Sequence, residues 1–329
     1  MTELAMTTTS AQPAAASAIP KASPPNEAQG SNAKDQDQAQ TTPEKKIQIP
    51  KPKYRLHSEV LRHPESASFS IYIPDVASTL DTALSNIVKY LYTSPGDGSP
   101  EEATSAPKCE RPHFIPFIPP TRSVTLFLRD FGGVAYTTGT ELDDDHKEIH
   151  LSLPYITHCK NSAAKADPVH ELTGVLTHEL VHCYQHTSPP DSAKGGKDIP
   201  SPPGGVIEGI ADFVRLKAGL SPPHWTRPTS SSQREKKWDA GYQHTAYFLA
   251  WIEDVWAGEG AIGMLNDRLY RVGYLGEDEK DCHEGGFWKS LFGAGVSELW
   301  DEYGQWLDDS EKPSEKTKGN WEEEIVNPL

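Results

Sequence analysis

His178, Glu179 and His182 form a His-Glu-x-x-His motif inside an apolar stretch, and these residue types at this spacing suit metal-assisted hydrolysis. On an α-helix, two histidines four residues apart are separated by about 6 Å along the axis and about 40° around it, so both imidazoles can reach one metal ion. Zinc accepts two such nitrogens. Glu179 is turned about 100° from His178, which places its carboxylate beside the activated water, in the position of a general base.

A core helix that carries two hydrogen-bonded histidines and no metal is the simpler alternative. The helical wheel places Leu172, Leu176 and Leu180 on one side and both histidines on the opposite side. The histidines therefore occupy a narrow polar strip on an otherwise apolar helix. That arrangement favours the metal site over a broad solvated face.

A catalytic zinc site needs a third protein ligand and an open position for water. His186 lies eight residues past His178, about 12 Å of axial rise, which is too far for one ion, so we expect it at the helix C-terminus or at the surface. Glu208, on the next predicted helix, can reach the ion across a cleft, and Asp212 one turn later can accept a hydrogen bond from the free nitrogen of a ligating histidine. A solvated acidic face is the alternative for this pair. Together with the histidine helix 26 residues upstream, the pair favours ligand and orienter.

The predicted strands and helices that must position these residues indicate an α+β fold, with a small mixed or antiparallel sheet followed by a mainly helical half. Alternating and apolar runs predict the strands, and helical periodicity with Asp-Pro, Gly and Pro boundaries predicts the helices. The predicted strands are 69–73, 123–128, 134–137 and 148–153, and the predicted helices are 75–92, 168–186, 205–216, 238–256, 262–272 and 296–307.

Composition divides the 329-residue chain into one folded domain, at residues 51–308, and two tails. Residues 1–50 are rich in Ala, Thr, Ser, Gln and Pro and are predicted to be disordered, because they hold almost no large apolar side chains. Residues 309–329 are predicted to form a charged, solvated tail. The loops at 93–120 and 187–203 show no clear period, and the sequence gives them no chemistry.

The formal net charge of −16 argues against a nucleic-acid partner or an anionic membrane surface. No apolar run is long enough to span a membrane. The first residues lack the pattern of a secretory signal, which favours an intracellular protein, with secretion by a non-conventional route as the alternative. The four cysteines have no metal-ligand spacing, so free thiols are the simpler expectation.

The pairing of the His-Glu-x-x-His motif with Glu208-x-x-x-Asp212 resembles the gluzincin class of zinc metallopeptidases. More narrowly, the chain is similar to the plant basic secretory protein family of peptidases over about residues 56–303. The segments that carry this resemblance are 133–137 (GVAYT), 149–152 (IHLS), 174–179 (GVLTHE), 207–215 (IEGIADFVR) and 238–242 (WDAGY).

The resemblance implies a zincin-like fold that binds one Zn²⁺ ion and hydrolyses peptide bonds in a peptide or protein substrate. In such an enzyme Glu179 takes a proton from the water and passes it to the leaving amine. A nearby donor stabilises the oxyanion, and Tyr242 is the candidate for that role, with His244 as a weaker substitute. A buried tyrosine that only packs its helix is the alternative for Tyr242.

An extended peptide substrate is expected to pair with an exposed sheet edge such as 149–153, and Trp225, Trp238 and Trp251 are candidates to line a side-chain pocket. Two other functions stay open. One is a zinc hydrolase of a non-peptide amide or ester, which would use the same ligands and base. The other is a catalytically silent binding or defence protein with the same fold.

Overall fold

The computed structural model describes residues 48–95, 109, 112–140, 143–162, 166–190, 199–275 and 286–310. Apart from residues 48–50 and 309–310, the two predicted tails lie outside these ranges and stay predictions. Much of both long loops, at 96–108 and 191–198, also lies outside them. Among the helices of the described ranges, none combines the length and the apolar character needed to cross a bilayer.

The described strands form one mixed sheet in the order β1-β2-β4-β3. Strands β1 and β4 both pair with β2 in parallel, whereas β3 pairs with β4 antiparallel. This arrangement confirms the α+β class with a small sheet. The bounds of the strands are β1 Lys53–Ser58, β2 Ser123–Arg129, β3 Ala135–Thr140 and β4 Asp143–Ser152.

The sheet order contradicts the expectation that residues 149–153 form a free edge. Strand β4 lies between β2 and β3, so its backbone groups are already paired on both sides. The exposed edge beside β4 belongs to β3, and Leu153 is the first residue of a helix rather than the end of the strand.

Nine α-helices lie in the described ranges, and three of them, α1, α3 and α8, were not predicted. Their bounds are α1 Pro64–Tyr72, α2 Val76–Leu91, α3 Leu153–Asn161, α4 Pro168–Tyr184, α5 Gly204–Lys217, α6 Tyr242–Trp251, α7 Ala261–Arg271, α8 Phe287–Phe292 and α9 Val296–Ser310.

The strand predicted at 69–73 is wrong, because this segment belongs to α1 and its C-cap. His63 caps the helix by accepting a hydrogen bond from the Glu65 N–H at 3.2 Å, and a proline occupies the first turn. Phe69 and Ile73, four residues apart, are buried, while Ile71 between them is exposed. The burial therefore follows a helical period, although the apolar residues alternate in the sequence.

Helix α4 carries the histidine motif and packs against β3, β4, α2 and α5. The Asp167 side chain caps it by accepting the His170 N–H at 2.9 Å, and Pro168 supplies the preset backbone angle of the first turn. The C-terminal end is fixed by the Tyr92 hydroxyl, which donates to the Tyr184 carbonyl. The helix therefore begins where the sequence predicts and ends two residues earlier.

His186, just past this end, is neither a ligand nor a surface residue. Its backbone N–H donates to Asn266 at 2.9 Å, and its ring Nε2 lies 2.8 Å from the Phe117 carbonyl oxygen. The rings of Phe117 and Tyr270 enclose the imidazole, and burial lowers its pKa. His186 thus anchors the irregular segment at 112–120 to the end of α4.

A buried ion pair fixes helix α5 against α4. Arg215 on α5 donates to Glu171 on α4 at 3.1 Å, and the Tyr155 hydroxyl donates to the same carboxylate at 2.7 Å. Gly174 makes room for the guanidinium, since a methyl group at that position would lie 2.5 Å from Arg215 Nε. The pair sets the crossing of the two helices that carry the predicted ligands.

Helix α6 approaches α5 at two glycines, Gly205 and Gly209. A methyl group on Gly205 would overlap the Asp239 carbonyl, and one on Gly209 would overlap the Thr245 side chain. Helix α6 begins at Tyr242 rather than at the predicted residue 238, because Gly241 has a φ of 87° that interrupts the helix. The close approach brings the first residue of α6 to the carboxylate-bearing face of α5.

Candidate metal centre

Three potential ligand atoms converge where α4 and α5 face each other. His178 Nε2 lies 3.1 Å from His182 Nε2 and 3.1 Å from Glu208 Oε2, and His182 Nε2 lies 3.7 Å from the same carboxylate oxygen. His178 is buried, and His182 and Glu208 are partly exposed. The group could therefore hold a metal ion that is reached from solvent on one side.

The distances between the three potential ligand atoms, and the chemistry of those atoms, fit zinc. Ligands at 2.0–2.1 Å from a tetrahedral ion are about 3.3 Å apart, and the three observed separations scatter closely about that value. Two imidazole nitrogens and one carboxylate oxygen are a ligand set that leaves the fourth tetrahedral position open, as catalytic zinc sites require.

Asp212 lies behind His178. Its Oδ1 atom lies 2.7 Å from His178 Nδ1, and the carboxylate is 2 % exposed. Because a carboxylate can only accept, His178 Nδ1 carries the proton and the ring presents Nε2 to the centre. Asp212 is thus in contact with one of the two histidines that the sequence predicts as ligands.

Gln185 lies behind the other histidine, a contact that the sequence analysis missed. The Gln185 amide nitrogen is 2.8 Å from His182 Nδ1, and the amide oxygen is buried with no hydrogen-bond partner among the described residues. Turning the amide over lets its oxygen accept the His182 Nδ1 proton, which leaves His182 Nε2 free to bind a metal. The spacing of three residues on one helix was a usable signal.

The charges of the centre are strongly coupled when no cation lies between the ligands. Burial by itself lowers the pKa of His178, but the hydrogen bonds to Asp212 and Glu208 outweigh it and raise that pKa to about 9. Burial by itself raises the pKa of Glu208, but hydrogen bonds from His178 and His182 lower it to about 2. Without a metal, histidine therefore supplies the positive charge that balances the carboxylates. A bound metal cation can supply that charge instead.

Glu179 lies beside the three potential ligand residues, but its carboxylate is not one of the three converging groups. The side chain is buried, and its Oε2 accepts a hydrogen bond from the Thr137 hydroxyl of β3 at 2.7 Å. Thr137 was also missed, because nothing local in the sequence joins a strand residue to a helix residue 42 positions later. Only the packing of α4 on the sheet creates this contact.

Tyr242 lies at the open side of the centre. Its ring stacks on His178, with 6.2 Å between the ring centroids and 14° between the planes, and 58 % of the residue is exposed. Its backbone φ of 46° lies in the left-handed region that non-glycine residues rarely adopt. Such a conformation persists only where the surrounding structure holds it, here by the contact of Gly241 with α5.

The remaining candidates lie elsewhere. His244 Nε2 faces Glu235 at 3.9 Å. Trp251 is buried in the aromatic core, and Trp225 lies over Arg215. Trp238 lines a surface pocket of about 450 Å³ together with Trp300 and charged side chains.

Comparison with known proteins places these residues within a family. The family model for BSP, described as a peptidase of plants and bacteria, matches residues 50–303, which include every residue of the candidate centre. No curated protein and no solved structure matches the chain. The matched range agrees with the basic secretory protein resemblance drawn from the sequence motifs.

Proposed function

Since the chain belongs to the basic secretory protein family, the peptidases of plants and bacteria, we propose that it is a zinc-dependent peptidase with a glutamate general base. The observation that carries this proposal is the convergence of His178 Nε2, His182 Nε2 and Glu208 Oε2 within 3.1–3.7 Å of one another. Glu179 stands beside them with its carboxylate fixed.

A zinc ion held by these three residues would polarise the substrate carbonyl and make water a stronger nucleophile. Glu179 accepts a proton from the attacking water as the new C–O bond forms. The same carboxylic acid then gives that proton to the amide nitrogen as the C–N bond breaks, so the carboxylate is regenerated. Because the side chain is 5 % exposed, bulk water competes little for this proton.

Tyr242 supplies the hydrogen bond to the carbonyl oxygen as negative charge develops there. In the metal-free centre the negative charge of Glu208, followed by partial burial, raises the pKa of the tyrosine. Its exposed position at the rim suits contact with a substrate. Asp212 and Gln185 hold the two histidine rings in the required orientation.

The decisive experiment compares zinc content and peptide cleavage in the wild type and in Glu179→Ala and Glu208→Ala. Glu179→Ala should retain zinc and lose peptidase activity, whereas Glu208→Ala should lose zinc affinity. His170→Ala is the matched control, because His170 lies on the same helix and its ring contacts the Ser221 carbonyl rather than the centre. It should leave zinc content unchanged.

The substrate assay separates the alternative functions. Zinc-loaded protein should cleave members of a peptide library and turn over simple esters or non-peptide amides poorly. Turnover of a non-peptide amide without peptide cleavage would replace the peptidase assignment by that of another zinc hydrolase. Zinc binding without turnover of either substrate class would identify a catalytically silent protein.

A further inference from the structure

Thr137 lies on the edge strand β3, at a position that faces helix α4. Its strand partner is Ile149, a fully buried residue of β4, so the Thr137 side chain points to the same, helix-covered side of the sheet. The hydroxyl oxygen lies 2.7 Å from Glu179 Oε2 and 2.9 Å from the Glu179 backbone carbonyl. We propose that Thr137 is a positioning residue that holds the carboxylate of the general base through its hydroxyl.

The chemistry of the contact supports this role. A carboxylate can only accept hydrogen bonds, so the Thr137 hydroxyl must be the donor. Glu179 is buried, and a buried carboxylate needs such a donor to offset the loss of hydration. With Oε2 held from the sheet side, rotation of the carboxylate is restrained and Oε1 is left to take the proton from water. Thr137 itself does not touch the reacting atoms.

The second acceptor, the Glu179 carbonyl, suggests a competing and purely structural role. One hydroxyl has one proton, which can tie β3 to the helix backbone or to the catalytic carboxylate. A structural tie would affect stability and zinc binding more than turnover. A positioning contact would affect kcat while leaving substrate and zinc binding intact. The inference rests on the proposed peptidase function. Measuring kcat on the one hand, and stability and zinc binding on the other, separates the positioning role from the structural role.

Three variants of β3 test the proposal. Thr137→Val keeps the shape of the side chain and removes the hydroxyl, whereas Thr137→Ser keeps the hydroxyl. Thr138→Val is the matched control, because Thr138 is the next residue of the strand and is exposed on the opposite side. Each variant is assayed for kcat and KM on a cleaved peptide and for zinc affinity by chelator competition.

We expect Thr137→Val to lower kcat by about 10- to 100-fold, the usual effect of removing a group that orients a site residue. KM and zinc affinity should stay within about threefold of the wild type, and Thr137→Ser and Thr138→Val should keep most of the activity. A Thr137→Val variant with wild-type kcat, or one in which kcat falls only as zinc is lost, would overturn the proposal.

A second measurement does not depend on activity. Thr137→Val is made in the wild type and in Glu179→Ala, and the thermal unfolding midpoints are compared as a double-mutant cycle. The valine should lower the midpoint clearly less when the Glu179 carboxylate is absent. An equal loss in both backgrounds would assign the hydroxyl to the backbone carbonyl and overturn the proposal.

The cycle also distinguishes the two failures. If the wild-type protein cleaves no peptide, the proposed function fails, while a coupling between Thr137 and Glu179 in the unfolding cycle still supports the contact. If the wild type is active and the cycle shows no coupling, the peptidase function stands and the positioning role of Thr137 fails.

Discussion

Replacing Gly209 by alanine tests the close approach of α5 and α6, which sets the distance between Glu208 and the start of α6. The new methyl group would overlap Thr245 Cγ2 and lie 2.6 Å from Thr245 Cβ. Thr245 cannot turn away freely, since its hydroxyl accepts the Gly241 N–H at 2.9 Å and donates to the Trp238 carbonyl at 3.0 Å. The helices must therefore separate, or these hydrogen bonds must break.

The magnitude follows from the two opposing effects. In a helix interior, alanine is more favourable than glycine by about 1 kcal/mol. Overpacking costs about 1–3 kcal/mol, and loss of the two Thr245 hydrogen bonds would cost about 1 kcal/mol each. By either route about 2 kcal/mol is lost against the gain of about 1 kcal/mol, so the net expectation is a loss of about 1 kcal/mol in the free energy of unfolding, which lowers Tm by about 2–4 °C in a domain of this size.

The same change should reduce activity. Restoring ordinary contact between the methyl group and Thr245 Cβ requires a separation of about 1 Å, and that shift moves Tyr242 away from Glu208. A misplacement of this size can cost up to about 100-fold in rate. We therefore expect Gly209→Ala to keep zinc and to lose about 10-fold or more in kcat.

The assay is urea and thermal unfolding of the variant, together with kcat on a cleaved peptide. Gly204→Ala is the control, because Gly204 is exposed on the same helix and a methyl group there meets nothing within 4 Å. Gly209→Ala combined with Thr245→Ser should recover only part of the loss, since serine removes Cγ2 and retains the hydroxyl but keeps the Cβ atom at 2.6 Å. A Gly209→Ala protein as stable as the wild type would refute the reasoning.

Three further predictions concern groups behind the centre and in the core. Asp212→Asn should weaken zinc binding by about 10- to 100-fold in a chelator competition, because it removes the charge that orients His178, and unchanged affinity would contradict the orienting role. Burial raises the pKa of Glu253 to about 7 from an ordinary 4.5, so the contribution of this carboxyl group to stability is present below pH 4.5 and is lost as pH rises through about 7. Glu253→Gln should remove this decline, worth about 3 kcal/mol, when the free energy of unfolding is measured from pH 4 to 9. Parallel pH curves for the wild type and the variant would contradict the prediction. Arg215→Met should cost about 3–5 kcal/mol in urea unfolding by leaving the Glu171 carboxylate without its cation, and a loss under 1 kcal/mol would show that the pair does not hold α5.

The predictions from sequence were best where the chemistry and the helix that carries it are local. The spacing of His178 and His182 by four residues, with the Asp167 cap and Pro168 upstream, fixes both the helix and the side on which the rings project. The same reasoning on Glu208 and Asp212 places two acids one turn apart. The structure brings all four side chains of this set together.

Local sequence pattern does not predict the structure where burial depends on distant packing. The alternating apolar residues of 69–73 predict a strand, yet the segment is helical because its N-terminal cap and the buried partners of Phe69 decide its conformation. The alternation of residues 148–153 predicts a strand but not its place in the sheet, because the order of strands depends on how distant segments pair. Neither property is written in a window of a few residues.

The sequence by itself therefore determined the residue types of the candidate centre, their helical spacing and the family. Only the tertiary structure decided that Glu208 meets the histidines, that Asp212 lies behind the ring of His178, and that Thr137 reaches Glu179. The reason is physical: helical periodicity is set by backbone geometry within a few residues, whereas these contacts depend on how α4 packs against the sheet and against α5. Such packing joins residues tens of positions apart, and no local pattern encodes it.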